Sequence, residues 1–231
     1  MPSLEIDATG LGLVEVNQKV RKAVKKGMRV IIKNAKHVDG LLAGLIKGEV
    51  EVEGDVGDYT AMLIGMREQK EEGLSGPRIV IHGNAGNYLA DGAWAGEVVV
   101  EGDVGYGAAI YAYGGTVVIH GSAGDALGQL LKGATVIVRG DVGDVVGLYM
   151  VGGTIIVVGD AGEKIGDWMI RGEIFIGGSY KSLGSNVKER ALSPEDKKRL
   201  KMLLSKYGIE ADIGKFRKIV PMTSRPFYGK S

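Results

Sequence analysis

The sequence predicts an all-β protein, a single-stranded right-handed parallel β-helix of about seven coils, and three observations carry that expectation. The first is a glycine phrase that returns every 19 residues: Gly83-Asn84-Ala85-Gly86, Gly102-Asp103-Val104-Gly105, Gly121-Ser122-Ala123-Gly124, Gly140-Asp141-Val142-Gly143 and Gly159-Asp160-Ala161-Gly162. A fixed period of this size marks a solenoid whose units stack on their neighbours. The second is a short β-branched run before each phrase, such as Thr116-Val117-Val118-Ile119 or Thr135-Val136-Ile137-Val138, whose composition favours strand over helix. The third is a small residue at two fixed places, seven and thirteen residues after the first glycine: Ala90, Ala109, Gly128, Gly147 and Gly166, then Gly96, Gly115, Ala134, Gly153 and Gly172. Identical strands joined by equal returns run parallel, and parallel crossovers are right-handed.

Taken in order, residues 1–34 read as a small α/β cap. Leu4 to Asp7 is a short strand. Leu13 to Lys26 is an amphipathic helix with Leu13, Val16, Val20 and Val24 on one face, stopped by Gly27, and Met28 to Ile32 is a second strand. The rod occupies residues 35–185. A degraded first unit runs from Ala35 to Val52, and the unit beginning Gly54-Asp55-Val56-Gly57 precedes Gly83 by 29 residues, one repeat plus a ten-residue insertion placed at Arg67 to Gly73. At a strand spacing of roughly 4.8 Å the rod is on the order of 30 Å long. The register fails at Gly178-Ser179-Tyr180, and the chain leaves the rod through Ser182-Leu183-Gly184-Ser185. Residues 186–231 hold a helix that begins at Ser193 with Pro194 in its first turn and runs to about Tyr207, its apolar stripe Leu200, Leu203, Leu204 and Tyr207. A tail with Ile219-Val220 and Phe227-Tyr228 is expected to pack on the rod or a neighbour.

The structural glycines are Gly54, Gly57, Gly83, Gly86, Gly102, Gly105, Gly121, Gly124, Gly140, Gly143, Gly159 and Gly162. They read as corners where positive φ is needed, with the Asp, Asn or Ser that follows bonding its own backbone. Strand alternation turns two columns outward. One is apolar, Val80, Val99, Val118, Ile137, Ile156 and Phe175, to be covered by the C-terminal helix or by another subunit. The other is polar, His82, Glu101, His120 and Arg139. Its His–Glu–His run could hold a metal or perform acid–base chemistry, and also fits a plain surface ladder of alternating charge. Tyr111, Tyr149 and Trp168 share one place in their coils, which suggests aromatic packing along the rod or a partner hot spot.

With no cysteine, the chain itself offers no disulfide, thiolate nucleophile or iron–sulfur ligand set. A net charge of +1 gives no electrostatic case for nucleic acid or an anionic membrane, and the five cations on the first helix (Lys19, Arg21, Lys22, Lys25 and Lys26) read as its solvated face. No basic segment leads into an apolar one at the N-terminus, so a cytoplasmic location is expected. Neither the nucleophile elbow of serine hydrolases nor a Walker A loop is present. Ser122 beside His120 replaces the Asp or Asn of other coils and reads as a turn residue.

The phrases Gly102-Asp103-Val104-Gly105 and Gly159 to Gly172, recurring with their strands over residues 35–185, resemble the GXGXG domain family. Its members include the C-terminal domain of the glutamate synthase large subunit and the β-helical subunit of formylmethanofuran dehydrogenase, and the flanking elements look like the stand-alone glutamate synthase form. The sequence departs from that family's commoner Gly-Met pair, with Ala93 and Leu131 where Met150 and Met169 stand in other coils. The resemblance implies a non-catalytic scaffold subunit of a glutamate synthase-type complex serving nitrogen assimilation, with glutaminase and FMN-synthase chains as partners. No cofactor is then bound by this chain, and FMN and iron–sulfur clusters belong to the partners. It equally implies an alternative, a formylmethanofuran dehydrogenase-like scaffold beside a metal-dependent redox subunit. Self-association, and a hydrolase or small-molecule binder built on the His82–His120 column, are the remaining readings.

Overall fold

The computed structural model describes residues 2–225. Eleven strands form one sheet in the order β1-β2-β3-β4-β5-β6-β7-β8-β9-β11-β10. β1 (Ser3–Asp7), β2 (Arg29–Lys33), β3 (Glu49–Glu53), β4 (Arg78–Ile81), β5 (Glu97–Val100), β6 (Thr116–Ile119), β7 (Thr135–Val138), β8 (Thr154–Val157) and β9 (Glu173–Ile176) are all parallel, each in register with the next. The chain therefore climbs by one strand spacing per coil, and the cap strands β1 and β2 belong to the same sheet. Positions in a coil are counted below from the first glycine of its phrase as zero.

Places 15 and 17 of each strand point into the rod, for example Val136, Val138, Ile155 and Val157, all 0% exposed. Together with residues at places 2, 6 and 10 (Val142, Val146, Met150) they make one continuous core. Place 16 points outward, yet it is buried too. Val80, Val99, Val118, Ile137, Ile156 and Phe175 form a second cluster with Leu200, Leu204, Ile209 and Phe216 of the C-terminal segment. The ladder that the sequence offered as a candidate subunit interface is thus covered by the protein's own helix α3 (Pro194–Lys206) and the turn after it. The match is metric. Thirteen helical residues at about 1.5 Å each span about the same length as the four strand spacings from β5 to β9. Arg199 pairs with Glu173 on β9 (2.5 Å), and Lys206 with Glu97 on β5 (2.9 Å).

The glycines that open each coil serve a different purpose from the one expected. Among them only Gly54 has positive φ. A Cβ on Gly140 would sit 2.7 Å from the Gly121 carbonyl oxygen and 2.8 Å from its carbon, so the coils approach too closely there for any side chain. Nor does the residue after the glycine bond its own turn. Asp141 Oδ1 accepts the Asp160 N–H (2.8 Å), Asp160 Oδ1 the Ser179 N–H (2.7 Å), and Ser122 Oγ the Asp141 N–H (3.1 Å). Each side chain thus binds the equivalent backbone one coil on, and a carboxamide, a carboxylate or a hydroxyl serves equally as acceptor.

Both ends are closed. Helix α1 (Leu13–Lys25) lies over the N-terminal opening with Val16, Asn17, Val20, Ala23 and Val24 buried, while Leu13, expected on that face, is 41% exposed. At the other end the rod runs on through Tyr180 and Leu183, which still bridge to Ala161 and Ile165. The chain then turns back through β10 (Val187–Arg190) and β11 (Arg217–Pro221), which is antiparallel to both β9 and β10. In line with the core residues Ile174 and Ile219 the last strand places Glu189, which meets the Tyr180 hydroxyl and the Arg217 guanidinium. A charged pair at the end of an apolar stack blocks further stacking at that edge. The insertion forms a short helix, α2 (Arg67–Glu72). Residues Phe227 and Tyr228 lie outside the described part. No helix among the described residues is long and apolar enough to cross a membrane.

Candidate docking face

Between places 5 and 11 each coil takes a backbone course that its residue types do not announce. Places 5, 7 and 9 have positive φ in coil after coil, for example Tyr59, Ala61 and Leu63 (57°, 60°, 55°), Val145, Gly147 and Tyr149 (52°, 68°, 54°), and Lys164, Gly166 and Trp168 (55°, 70°, 56°). Alternation sends successive N–H groups up and down. Val145 N–H donates to the Glu163 carbonyl of the next coil (2.8 Å), Gly147 to Leu127 of the preceding one (2.9 Å), Tyr149 to Asp167 (2.9 Å) and Val151 to Leu131 (2.8 Å). Every coil is therefore stitched to both neighbours without a strand, which satisfies backbone that would otherwise be buried unpaired. Place 7 must be small because a side chain there meets the core; a Cβ on Gly147 would lie 2.6 Å from Ile174 Cδ1.

Tyr59, Leu63, Tyr88, Tyr111, Leu130, Tyr149 and Trp168 are large side chains on this left-handed backbone, which costs roughly 1–2 kcal/mol for a residue with a Cβ, whereas Gly92, Gly107 and the buried Ala126 take the same places in other coils. The result is an apolar flank along the rod with several large side chains exposed. Tyr59, Leu63, Tyr111 and Val151 are 39%, 50%, 45% and 36% exposed. The Tyr59 and Tyr88 rings stack at 4.8 Å, and Trp94 stacks on Tyr113 at 3.9 Å with planes 6° apart. Tyr111, Tyr149 and Trp168, which the sequence placed in one column, do share it. Lys132 Nζ bonds the Tyr113 hydroxyl (2.8 Å) and stands 4.2 Å from the centre of that ring and 5.4 Å from that of Tyr111. Lys70 of α2 lies 5.8 Å from the Trp94 ring centre, so the insertion leans against this flank. Asp91 is half-buried here, and burial raises its carboxyl above the ordinary carboxylate range. Among the described residues its carboxylate forms no hydrogen bond or ion pair.

The polar column is split. His82 Nδ1 meets Glu101 Oε1 at 2.9 Å, and His82 Nε2 lies 3.8 Å from Glu51, whose carboxyl the Arg29 guanidinium holds low. Neither His120 nor Arg139 joins them in an ion pair, and among the described residues no group of three or more acids and histidines could hold a metal. Ser122 is occupied as an inter-coil acceptor. The charged contact of this column thus runs from Glu51 through His82 to Glu101 and stops there among the described residues.

Sequence reasoning saw the aromatics of place 9 but not their left-handed backbone, nor the role of Trp94, Lys132 and Asp91; the signal available was only the scarcity of charge at places 9 to 11. No curated protein matches the sequence. Among solved structures, a chain of the formyltransferase/hydrolase complex (FhcABCD) from Methylorubrum extorquens, in complex with methylofuran, is similar, with 25% identity over 69% of this chain and 67% of that chain and a TM-score of 0.49. A family model described as GXGXG motif matches residues 16–221, which takes in the whole rod, helix α3 and strand β11. The chain belongs to the GXGXG motif family.

Proposed function

We propose that this protein is a scaffold subunit of a multi-subunit complex, whose chemistry and cofactors reside in other chains. The observation that carries the reading is the aromatic flank. A run of exposed apolar side chains, Tyr59, Leu63, Tyr111 and Val151, beside the half-buried Trp94 has the composition of a protein-docking face, with tyrosine and tryptophan as the residue types that dominate interface energetics. Membership of the GXGXG family supports it from the sequence side. The strand face is already occupied by α3, so docking falls to the flank, the polar corner and the rod ends.

At the finer level the family resemblance supplies two assemblies. One is a glutamate synthase-type complex, with glutaminase and FMN-synthase chains. The other is a formylmethanofuran dehydrogenase-like complex, in which the rod stands beside a metal-dependent redox subunit. Affinity purification of the tagged full chain from its native cells, with every stoichiometric companion identified by mass spectrometry, tests the proposal. Companions that carry FMN and a glutaminase domain favour the first assembly, and companions that bind molybdenum or tungsten the second. A chain that purifies without stoichiometric companions overturns the scaffold reading.

A further inference from the structure

Charge on the outward face of the sheet alternates from row to row at the N-terminal end of the rod. β1 presents Glu5 and Asp7, β2 Arg29 and Lys33, β3 Glu51 and Glu53, and β4 Arg78 and His82. An inner row is therefore paired on both sides. Lys33 Nζ lies 3.1 Å from Glu5 and 3.6 Å from Glu53, and His82 stands between Glu51 and Glu101. β1 is the first strand of the sheet, so its acidic row has cations on one side only. The backbone ends in the same way. Arg29 N–H donates to the Pro2 carbonyl (3.0 Å) and Ala8 N–H to the Lys33 carbonyl (2.9 Å), which turns the backbone groups of Leu4 and Ile6 towards β2. Those of Ser3, Glu5 and Asp7 then point away from the sheet. All three residues are exposed, and among the described residues no backbone group takes up their N–H or carbonyl groups.

We propose that this edge is the docking site for an extended segment of a companion chain, which adds to the sheet as a further strand with lysine or arginine at alternate residues. The free backbone groups of β1 supply hydrogen bonds common to any added strand, and the acidic row selects its outward side chains. The opposite edge of the sheet is closed by Glu189 and Arg217, whereas the inward residues of β1, Leu4 and Ile6, are apolar and carry no such block. Charge also decides which occupant the edge refuses. A second copy paired antiparallel through β1 about Glu5 sets the two Glu5 carboxylates against each other, and like charges directly opposite are unfavourable. The inference rests on the scaffold reading for the existence of a companion chain, and adds where and by what chemistry one segment of it binds.

Amide hydrogen exchange of the purified full chain, followed residue by residue by NMR with short peptides as probes, provides the test. A peptide of alternating valine and lysine is expected to bind and to slow exchange of the Glu5 and Asp7 N–H groups at least about tenfold. The same peptide with glutamate in place of lysine, or with its backbone nitrogens methylated, should leave them exchanging freely. Glu5→Lys is expected to exchange the preference between the two charged peptides. Glu5→Gln, the milder change, should weaken the valine–lysine peptide without favouring the valine–glutamate one, and unchanged circular dichroism in both variants separates recognition from misfolding. Exchange at Asp7 unaffected by the valine–lysine peptide, an equal effect of the methylated peptide, or a preference indifferent to Glu5→Lys overturns the inference. So does self-association through β1, seen as slowed exchange at Glu5 when the protein is concentrated without peptide. Purification from native cells keeps the two claims apart. Companions retained by a chain whose β1 takes no peptide sink the docking edge and leave the scaffold reading standing, whereas a charge-selective β1 on a chain without companions does the reverse.

Discussion

Asn17 on helix α1 takes the place of a missing coil for Leu42: its Oδ1 accepts the Leu42 N–H at 2.8 Å while its Nδ2 donates to the Gly40 carbonyl at 3.2 Å. Within the rod an N–H at this place donates to the preceding coil, as Gly147 does to Leu127, and at the first coil there is none. One buried side-chain amide with a donor and an acceptor closes the ladder, whereas a flat apolar cap would leave it open. Asn17→Leu should therefore cost about 1–3 kcal/mol, because the buried Leu42 N–H loses its partner, while the Gly40 carbonyl keeps the Ala43 N–H (3.1 Å). Asn17→Asp, which keeps the acceptor and loses the donor, should cost less than that. Chemical denaturation of the two variants checks the order.

The inter-coil acceptors predict a cost that is small at each step and falls at the same point in every coil. Asp141→Ala removes the acceptor for the Asp160 N–H and should destabilise by about 1–2 kcal/mol, while Asp141→Asn, with the same geometry, should be within about 0.5 kcal/mol of wild type. Equilibrium unfolding measures both.

Opposite signs are expected at two neighbouring positions. Val145 is β-branched at φ 52°, so Val145→Gly should relieve left-handed strain and stabilise by up to about 1 kcal/mol after the entropy of the unfolded glycine is subtracted. Gly140→Ala inserts a Cβ against the Gly121 carbonyl and should be among the most damaging single-methyl changes in the chain. Thermal midpoints of the two variants should move in opposite directions.

Acid should release helix α3 before the rod unfolds. Burial pushes the Asp196 carboxyl upward, but the Lys218 ammonium and the Ser193 N–H outweigh it and hold the group below its ordinary value. At Glu97 burial is likewise outweighed, by the Tyr207 hydroxyl and Lys206. A carboxylate with a depressed folded pKa contributes stability that is complete above its unfolded value, about 4, and is lost as pH falls through the folded one. Lys218, which burial would lower but Asp196 and Glu173 raise, contributes below its unfolded value and stops doing so only in strong alkali. The expected profile is flat from pH 5 to 9, with binding of a hydrophobic dye to the uncovered Val99–Phe175 ladder rising below about pH 4. Asp196→Asn should show dye binding already at neutral pH and a shallower acid transition.

The features legible in the sequence were those with a compositional mark at a fixed spacing. Glycines at places zero and 3 recur because backbones nearly touch there, and small residues at place 7 recur because a core side chain lies behind them. The strand runs and the helix from Ser193 carried ordinary strand and capping signals. Their inward and outward faces followed from alternation alone, which is why the ladder from Val80 to Phe175 could be picked out although its cover could not. What stayed hidden leaves no such mark. Tyr149 and Trp168 are not residues that announce a left-handed backbone, and alternating inter-coil hydrogen bonds run along it. An aspartate after a glycine looks the same whether it bonds its own turn or the coil above. Asn17 on an otherwise amphipathic helix reads as a surface residue until the open rung beneath it is seen.

Native mass spectrometry of the tagged chain purified from its own cells, beside a Leu63→Ser/Tyr111→Ser variant of the flank, tests the central claim most directly. The account predicts that the wild-type chain is found in an assembly with stoichiometric companion subunits, and that the flank variant folds normally but has lost the assembly. A wild-type chain that runs free of companions, or an assembly untouched by the flank variant, would contradict it.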